Sequence, residues 1–148
     1  MELERPLCVL LAFQANRRGV ITGDASVFDT CNLQNARLFI NNKAIPYESL
    51  EIDYGNNNYS TAYIMFCSFL KNFYGKDDCQ LVSRANFKSY APIICFDCSA
   101  SEEMLKSTVL DLRIEMQFRA QIPENTSAYA MIYHDKIVSY NAFNNMVM

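Results

Sequence analysis

Few residues in this sequence could do chemistry. The first candidates are two cysteines that form a short motif. Cys95 and Cys98 give the only C-x-x-C spacing in the chain, but a zinc site of this type needs a second pair of ligands that the sequence does not supply. If Cys95 lies in an extended strand, residues three apart point to opposite faces, so the two sulfurs diverge unless the strand ends between them. We expect core packing here and assign no metal ligand.

The single histidine is the second candidate for chemistry. His134 precedes Asp135 and, with a serine such as Ser139, supplies the residue types of a hydrolytic triad. No nucleophile-elbow spacing accompanies them, and a His-Asp pair at a hairpin turn also fits plain solvated turn residues. One imidazole is too few for the metal centre of cupin-type jelly-roll enzymes. We therefore predict no catalytic residue and no cofactor.

Carboxylates and glycines give no further site. Asp111 and Glu115 share one face of an alternating stretch, but four residues of strand separate them by about 13 Å, too far for a glycosidase pair. The four glycines are isolated from one another, so no glycine-rich phosphate loop is present. These polar residues are expected to face solvent.

The element expected to organise the fold is a long strand over residues 110–119. Apolar and polar residues alternate there without interruption, and a period of two places them on opposite faces of a strand. The pattern predicts an antiparallel strand with one face on the core and one on water. We expect Leu112, Ile114, Met116 and Phe118 to be buried and Arg113, Glu115 and Gln117 to point outward.

Other strands are predicted from apolar runs and turn residues. Leu7 to Phe13 is a continuous apolar run, as in a strand buried on both faces. Residues 36–41 and 43–53 flank Asn41-Asn42, a pair that tolerates a tight hairpin turn. Pro46 has no N–H to donate, so the second arm must bulge or lie at a sheet edge. Short strands are expected at residues 93–96, 128–133 and 137–140.

One amphipathic helix is predicted from about Tyr59 to Tyr74, where aromatic and aliphatic residues recur at helical spacing. Asn58 is expected to cap its first turn and Gly75 to end it. The strands on either side already supply paired β pattern, so the helix is expected to be an insertion outside the sheets. Its buried stripe is predicted to be Tyr63, Phe66, Leu70 and Phe73. At most one further helical turn is expected, near Phe87.

Composition narrows the classes of partner. The formal net charge is −3 and the 13 Lys and Arg residues are scattered, so no face is expected to bind nucleic acid directly. The longest apolar run is far shorter than a membrane span, and no basic segment precedes it as in a signal peptide. We expect an intracellular or virion location, no secretion, and six reduced cysteines.

The inventory of seven or eight strands and one helix predicts a single mainly β domain, a two-sheet antiparallel β-sandwich over residues 1–148. Hydrophobic residues make up 51% of the chain and charged residues only 20%. This is more apolar than a usual soluble domain. Part of the apolar surplus is therefore expected to cover an interface.

The sequence also resembles a family of viral type, over nearly the whole chain from about Pro6. It is similar to the C-terminal part of the double jelly-roll major capsid-like proteins carried by Polinton, Maverick and adintovirus-type elements of invertebrate genomes. The residues that carry the resemblance are Leu38-Phe39-Ile40-Asn41, Pro46-Tyr47, Leu50, Tyr63-Ile64-Met65-Phe66, Phe69, Tyr74-Gly75, Ala91-Pro92-Ile93-Ile94, Asp97-Cys98-Ser99, Val109 to Glu115, Pro123 to Tyr129 and Ile132 to Asp135.

The resemblance implies an antiparallel jelly-roll β-sandwich with one amphipathic helix inserted between strands. It further implies self-association: the jelly roll packs beside a sister jelly roll, three chains form a pseudo-hexagonal capsomer, and capsomers contact other capsid subunits. This chain departs from the family pattern because a first jelly roll of similar size is missing. It is then either a fragment or a shortened, domesticated descendant.

A rival hypothesis uses the same sandwich as a binding module. In that case loops at one end hold a protein or carbohydrate ligand. Exposed aromatic residues in such loops, for example Tyr90 or Phe143, would favour it. Both hypotheses place the function in a surface and neither needs a catalytic site.

Overall fold

The structure is a computed structural model that describes residues 6–75, 82–99, 110–134, 140–141 and 146–147. Within these ranges it contains eight strands and two helices. In chain order they are β1 Pro6–Ala15, β2 Leu33–Ile40, β3 Lys43–Ile45, α1 Ser60–Tyr74, α2 Arg84–Tyr90, β4 Ile94–Asp97, β5 Leu112–Phe118, β6 Thr126–His134, β7 Tyr140–Asn141 and β8 Met146–Val147.

Two three-stranded antiparallel sheets form the body of the molecule, one in the order β4-β1-β6 and the other in the order β3-β2-β5. Their apolar faces meet in a common core. The rings of Phe13 on β1 and Phe118 on β5 join the two sheets edge to face at 5.7 Å between centroids. The predicted mainly β, antiparallel sandwich with an inserted helix is therefore confirmed.

Strand β1 lies at the centre of its sheet and is buried on both faces, as its continuous apolar run predicted. Val9, Leu11 and Phe13 are at most 2% exposed, and they point toward the second sheet because Phe13 contacts Phe118 there. Alternation places Cys8 and Ala12 on the opposite face, where they are also buried. A strand with two covered faces needs no polar alternation.

The predicted hairpin at Asn41-Asn42 is present and joins β2 to β3. Both turn residues have positive φ, 46° and 69°, which asparagine tolerates better than most residues. The second arm is much shorter than predicted: β3 ends at Ile45, immediately before Pro46, because proline has no N–H to continue the ladder. This arm is the edge of its sheet, one of the two alternatives expected for it.

Strand β5 is where the structure departs most from prediction. It covers Leu112–Phe118 only, and among the described residues it pairs with β2 alone. Leu112, Ile114 and Phe118 are partly rather than fully buried, and Met116 is 39% exposed. The expected burial of Met116 is wrong because a strand at a sheet edge has a neighbour on one side only. Arg113, Glu115 and Gln117 do face solvent.

Helix α1 lies outside the sheets, between β3 and β4 in the chain. Phe69 and Phe73 each lie 5.7 Å from the ring of Tyr133, which pairs with Cys8 and so belongs to the outer face of the β1 sheet. Phe66 is buried; the rest of the predicted stripe, Tyr63, Leu70 and Phe73, is partly buried against the core.

The two ends of α1 follow different rules. Gly75 ends the helix as predicted: its φ is 60° and its N–H donates to the carbonyl of Lys71 at 3.0 Å, a conformation that glycine adopts without strain. The predicted Asn58 cap is wrong. Tyr59 occupies the capping position without a side-chain hydrogen bond, and Asn58 Nδ2 instead donates to the carbonyl of Glu51 at 3.2 Å.

The expected single turn near Phe87 is a two-turn helix, α2. Ser83 caps it by accepting a hydrogen bond from the N–H of Asn86 at 3.2 Å. Phe87 is fully buried. Its ring packs against the rings of Tyr59, Tyr63 and Phe66, with 5.3 to 6.1 Å between ring centroids. This aromatic cluster attaches both helices to the sandwich.

Some expectations fall on residues outside the described ranges. The predicted strand at residues 137–140 is described only at its end, where β7 pairs with β8. Neither of the described helices is long and apolar enough to cross a membrane.

Candidate functional site

The C-x-x-C pair lies where strand β4 ends. Cys95 is inside β4 and Cys98 is one residue beyond its last residue, Asp97, so the strand ends between the two thiols. Both are buried. Burial, followed by the nearby charge of Asp97, raises the pKa of the Cys98 thiol to about 12, so it stays protonated and unreactive near neutral pH. No three His, Cys, Asp or Glu side chains in the described part of the chain are arranged to hold a metal ion.

Of the other sequence candidates, the structure describes His134, Asp111 and Glu115 and does not bring these three together into a site. His134 is exposed at the end of β6, while Asp135 and Ser139 lie outside the described residues. Asp111 and Glu115 are exposed on or beside β5, and Glu115 forms a surface ion pair with Arg113 at 3.3 Å. Exposed pairs of this kind contribute at most about 1 kcal/mol.

A different feature stands out from the burial pattern, namely the outer edge of the β1 sheet. Strand β6 pairs with β1 over nine residues, and its other edge has no partner among the described residues. Four consecutive residues in its middle are exposed on both faces; they are Ala128, Tyr129, Ala130 and Met131. Tyr129 is 44% and Met131 57% exposed. We call these four residues the β6 edge.

The β6 edge differs from the other sheet edges in having no protection against pairing. Natural edge strands are kept apart by shortness, charge, proline or a bulge. Strand β3 has three residues and begins with Lys43, β4 has four and ends with Asp97, and β5 carries Arg113 and Glu115. Strand β6 has nine residues, and Thr126 to Tyr133 include no charge and no proline. It is the edge best suited to accept another strand.

The apolar surface continues from the β6 edge to residues of β6 and β5 that point toward the space between the two sheets. Ala128 and Ala130 pair with Phe13 and Leu11 and therefore point inward, yet both are exposed. Met116 on β5 also points inward, beside Ala36, and is exposed as well. Helix α1 lies near β3 and β4 and reaches β6 only near its end, where Phe69 and Phe73 contact Tyr133. Among the described residues, no helix or strand covers Ala128, Ala130 and Met116 on the β5–β6 side, and their exposed side chains are apolar.

Sequence reasoning found β6 as a strand but missed its exposure. The available signal was the composition of residues 126–133, an uncharged segment in which six consecutive residues, Ala128 to Tyr133, are apolar or aromatic. Such a segment is normal in a covered strand and unusual at a free edge. Only the sheet order shows that this strand is at an edge.

The fold defines a class, a jelly-roll-type β-sandwich built from two three-stranded antiparallel sheets, and the described residues contain no assembled catalytic group. The chain belongs to the family of double jelly roll-like domains, whose family model matches residues 1–138. No curated protein and no solved structure matches the chain.

Proposed function

We propose that this chain is a structural, self-associating subunit of viral major capsid type that contributes to a trimeric capsomer and has no catalytic role. Membership of the double jelly roll-like family supports the capsid-like part of this proposal. The resemblance in sequence supports an origin in a Polinton, Maverick or adintovirus-type element. We take residues 1–148 as one jelly-roll unit that acts in a virion or inside the cell.

The observation that carries the proposal is the β6 edge. Tyr129 and Met131 are about half exposed on a nine-residue strand whose first eight residues include no Asp, Glu, Lys, Arg or His, and an exposed apolar edge of that length readily pairs with another chain. Pairing there would continue the β1 sheet into a neighbouring subunit by main-chain hydrogen bonds. The β6 edge therefore supports association between chains, and the trimeric arrangement is proposed from the resemblance alone. The partners are then further copies of the chain and other capsid subunits, and nucleic acid is not a direct partner.

The test is the mass of the purified chain, measured by light scattering over a range of concentrations. We expect an assembly several times heavier than the 17.0 kDa single chain. Met131→Lys places a charge on the β6 edge, where lysine is a common means of preventing strand pairing, and should return the mass toward that of one chain.

A matched control is available in the loop after β1. Ile21 is fully exposed, so Ile21→Lys adds the same charge to an exposed apolar residue away from the β6 edge. This variant should associate like the unchanged chain. A single-chain mass for the unchanged protein, or equal effects of the two substitutions, would contradict the proposal.

A binding module is the second candidate, and the exposure of Tyr90 favours it. Tyr90 is 56% exposed, but it is the last residue of helix α2 and not a loop residue as expected; Phe143 lies outside the described residues. In this case the chain would be a monomer in light scattering, and it would bind to specific members of a glycan or peptide array. Tyr90→Ala should then abolish the binding without changing the melting temperature.

A further inference from the structure

A cavity of about 330 Å³ lies between α1, the end of β3 and the outer face of the β1 sheet. Its volume falls in the range of pockets that bind small molecules. It is separate from the β6 edge. The residues that line it are Cys8, Ile45, Pro46, Thr61, Ile64, Met65, Ser68, Phe69, Asn72, Phe73, Cys95 and Asp97.

The walls of the cavity are mostly apolar. Met65, Phe69 and Phe73 line it from the helix, and two thiols line it from the sheet. Burial raises the pKa of Cys8 to about 12 and that of Cys95 as well, so both thiols are neutral near pH 7. Water finds few partners on such walls, and an apolar ligand that replaces it gains burial.

One charged residue, Asp97, lines the cavity, and it is exposed to solvent. Asp97, at the end of β4, accepts hydrogen bonds from the N–H of Ser99 at 2.9 Å and from Asn72 Nδ2 at 3.5 Å. It forms no ion pair with any described residue, and no described Lys or Arg lines the cavity. A carboxylate beside an apolar cavity complements a cation attached to an apolar chain.

We propose that this cavity binds an amphiphilic amine, with its hydrocarbon chain between α1 and the sheet and its ammonium group on Asp97. Binding of this kind does not depend on self-association. The hydrocarbon supplies most of the affinity through burial, and Asp97 supplies the preference for a cation over a neutral or anionic head group.

Three probes with the same hydrocarbon chain separate these contributions: octylamine, octanol and octanoate, titrated into the full chain at pH 7 by calorimetry. We expect octylamine to bind about fivefold more tightly than octanol, the upper value for a solvent-exposed ion pair, and octanoate to bind most weakly. Asp97→Asn should remove the difference between amine and alcohol. Glu124→Gln removes an exposed charge elsewhere and should leave the difference unchanged.

A second variant tests the location. Ser68→Leu extends a cavity-lining side chain from α1 and should abolish binding of all three probes by filling the space. The proposal is overturned if octylamine does not bind, if it binds no better than octanol, or if Ser68→Leu or Asp97→Asn leaves the affinities as they were.

Discussion

At the scale of residues, two apolar side chains of α1 have opposite environments. Phe66 is 7% exposed and lies 5.3 Å from the ring of Phe87, which is fully buried. Ile64, two positions earlier, is 61% exposed. Helical periodicity explains the contrast, since only one face of the helix meets the core.

We predict that Phe66→Ala lowers the free energy of unfolding by about 3–5 kcal/mol, because it removes a buried ring and leaves a cavity beside Phe87. The measurement is urea unfolding of the purified variant. Ile64→Ala on the same helix is the control, and its cost should stay within about 0.5 kcal/mol. Equal losses for the two variants would mean that the buried face of α1 is assigned wrongly.

At the scale of elements, β2 and β5 pair along their length but differ in burial. Leu38 and Ile114 are direct cross-strand neighbours, so their side chains lie on the same face of the sheet. Leu38 is 1% exposed, in the middle strand of the sheet, whereas Ile114 on β5 is only partly buried. The position of a strand in its sheet therefore decides how much a given apolar residue contributes.

The same substitution at Leu38 and at Ile114 should have different effects on stability. Leu38→Asp buries a carboxylate without a partner, at a cost of several kcal/mol from a total stability near ~10 kcal/mol, and should prevent folding. Ile114→Asp should cost only about 1–3 kcal/mol, because the carboxylate reaches solvent at the edge. For both variants, circular dichroism shows whether the chain is folded and urea unfolding measures the free energy of unfolding. A folded Leu38→Asp protein would contradict the assigned sheet order.

At the scale of the whole molecule, both sheets and both helices contribute to one apolar core. Phe13 meets Phe118 across the two sheets, and the Phe87 cluster joins the two helices. No layer of the described structure has a separate core of its own. A protein built in this way should unfold as one unit.

We predict a single cooperative thermal transition for the Met131→Lys variant, chosen so that assembly does not complicate the measurement. Its calorimetric enthalpy should equal the van't Hoff enthalpy and be about 100 kcal/mol near 60 °C, from the usual value per residue. Scanning calorimetry supplies both quantities. Two transitions, or a van't Hoff value well below the calorimetric one, would show that the chain is not one folding unit.

The sequence by itself determined the elements whose signals are local. The uninterrupted apolar run at residues 7–13, the Asn41-Asn42 turn, the periodicity of α1 and the glycine at position 75 each have a physical meaning within a few residues. The sandwich followed from the count of strands. Its candidate chemistry was also limited from sequence, by the single histidine and the unmatched C-x-x-C pair.

Only the tertiary structure decided which strands lie at edges and which surfaces stay open. Met116 lies in an alternating strand and Met131 in a continuous apolar run, and both patterns suggest burial, but exposure depends on the neighbours that sheet order supplies. For Phe87 the local sequence and the burial differ in the other direction. Its neighbours in the sequence are mostly polar, but its ring is buried by other rings up to 28 positions away in the chain. Burial is set by contacts between distant segments, and a local pattern does not contain them.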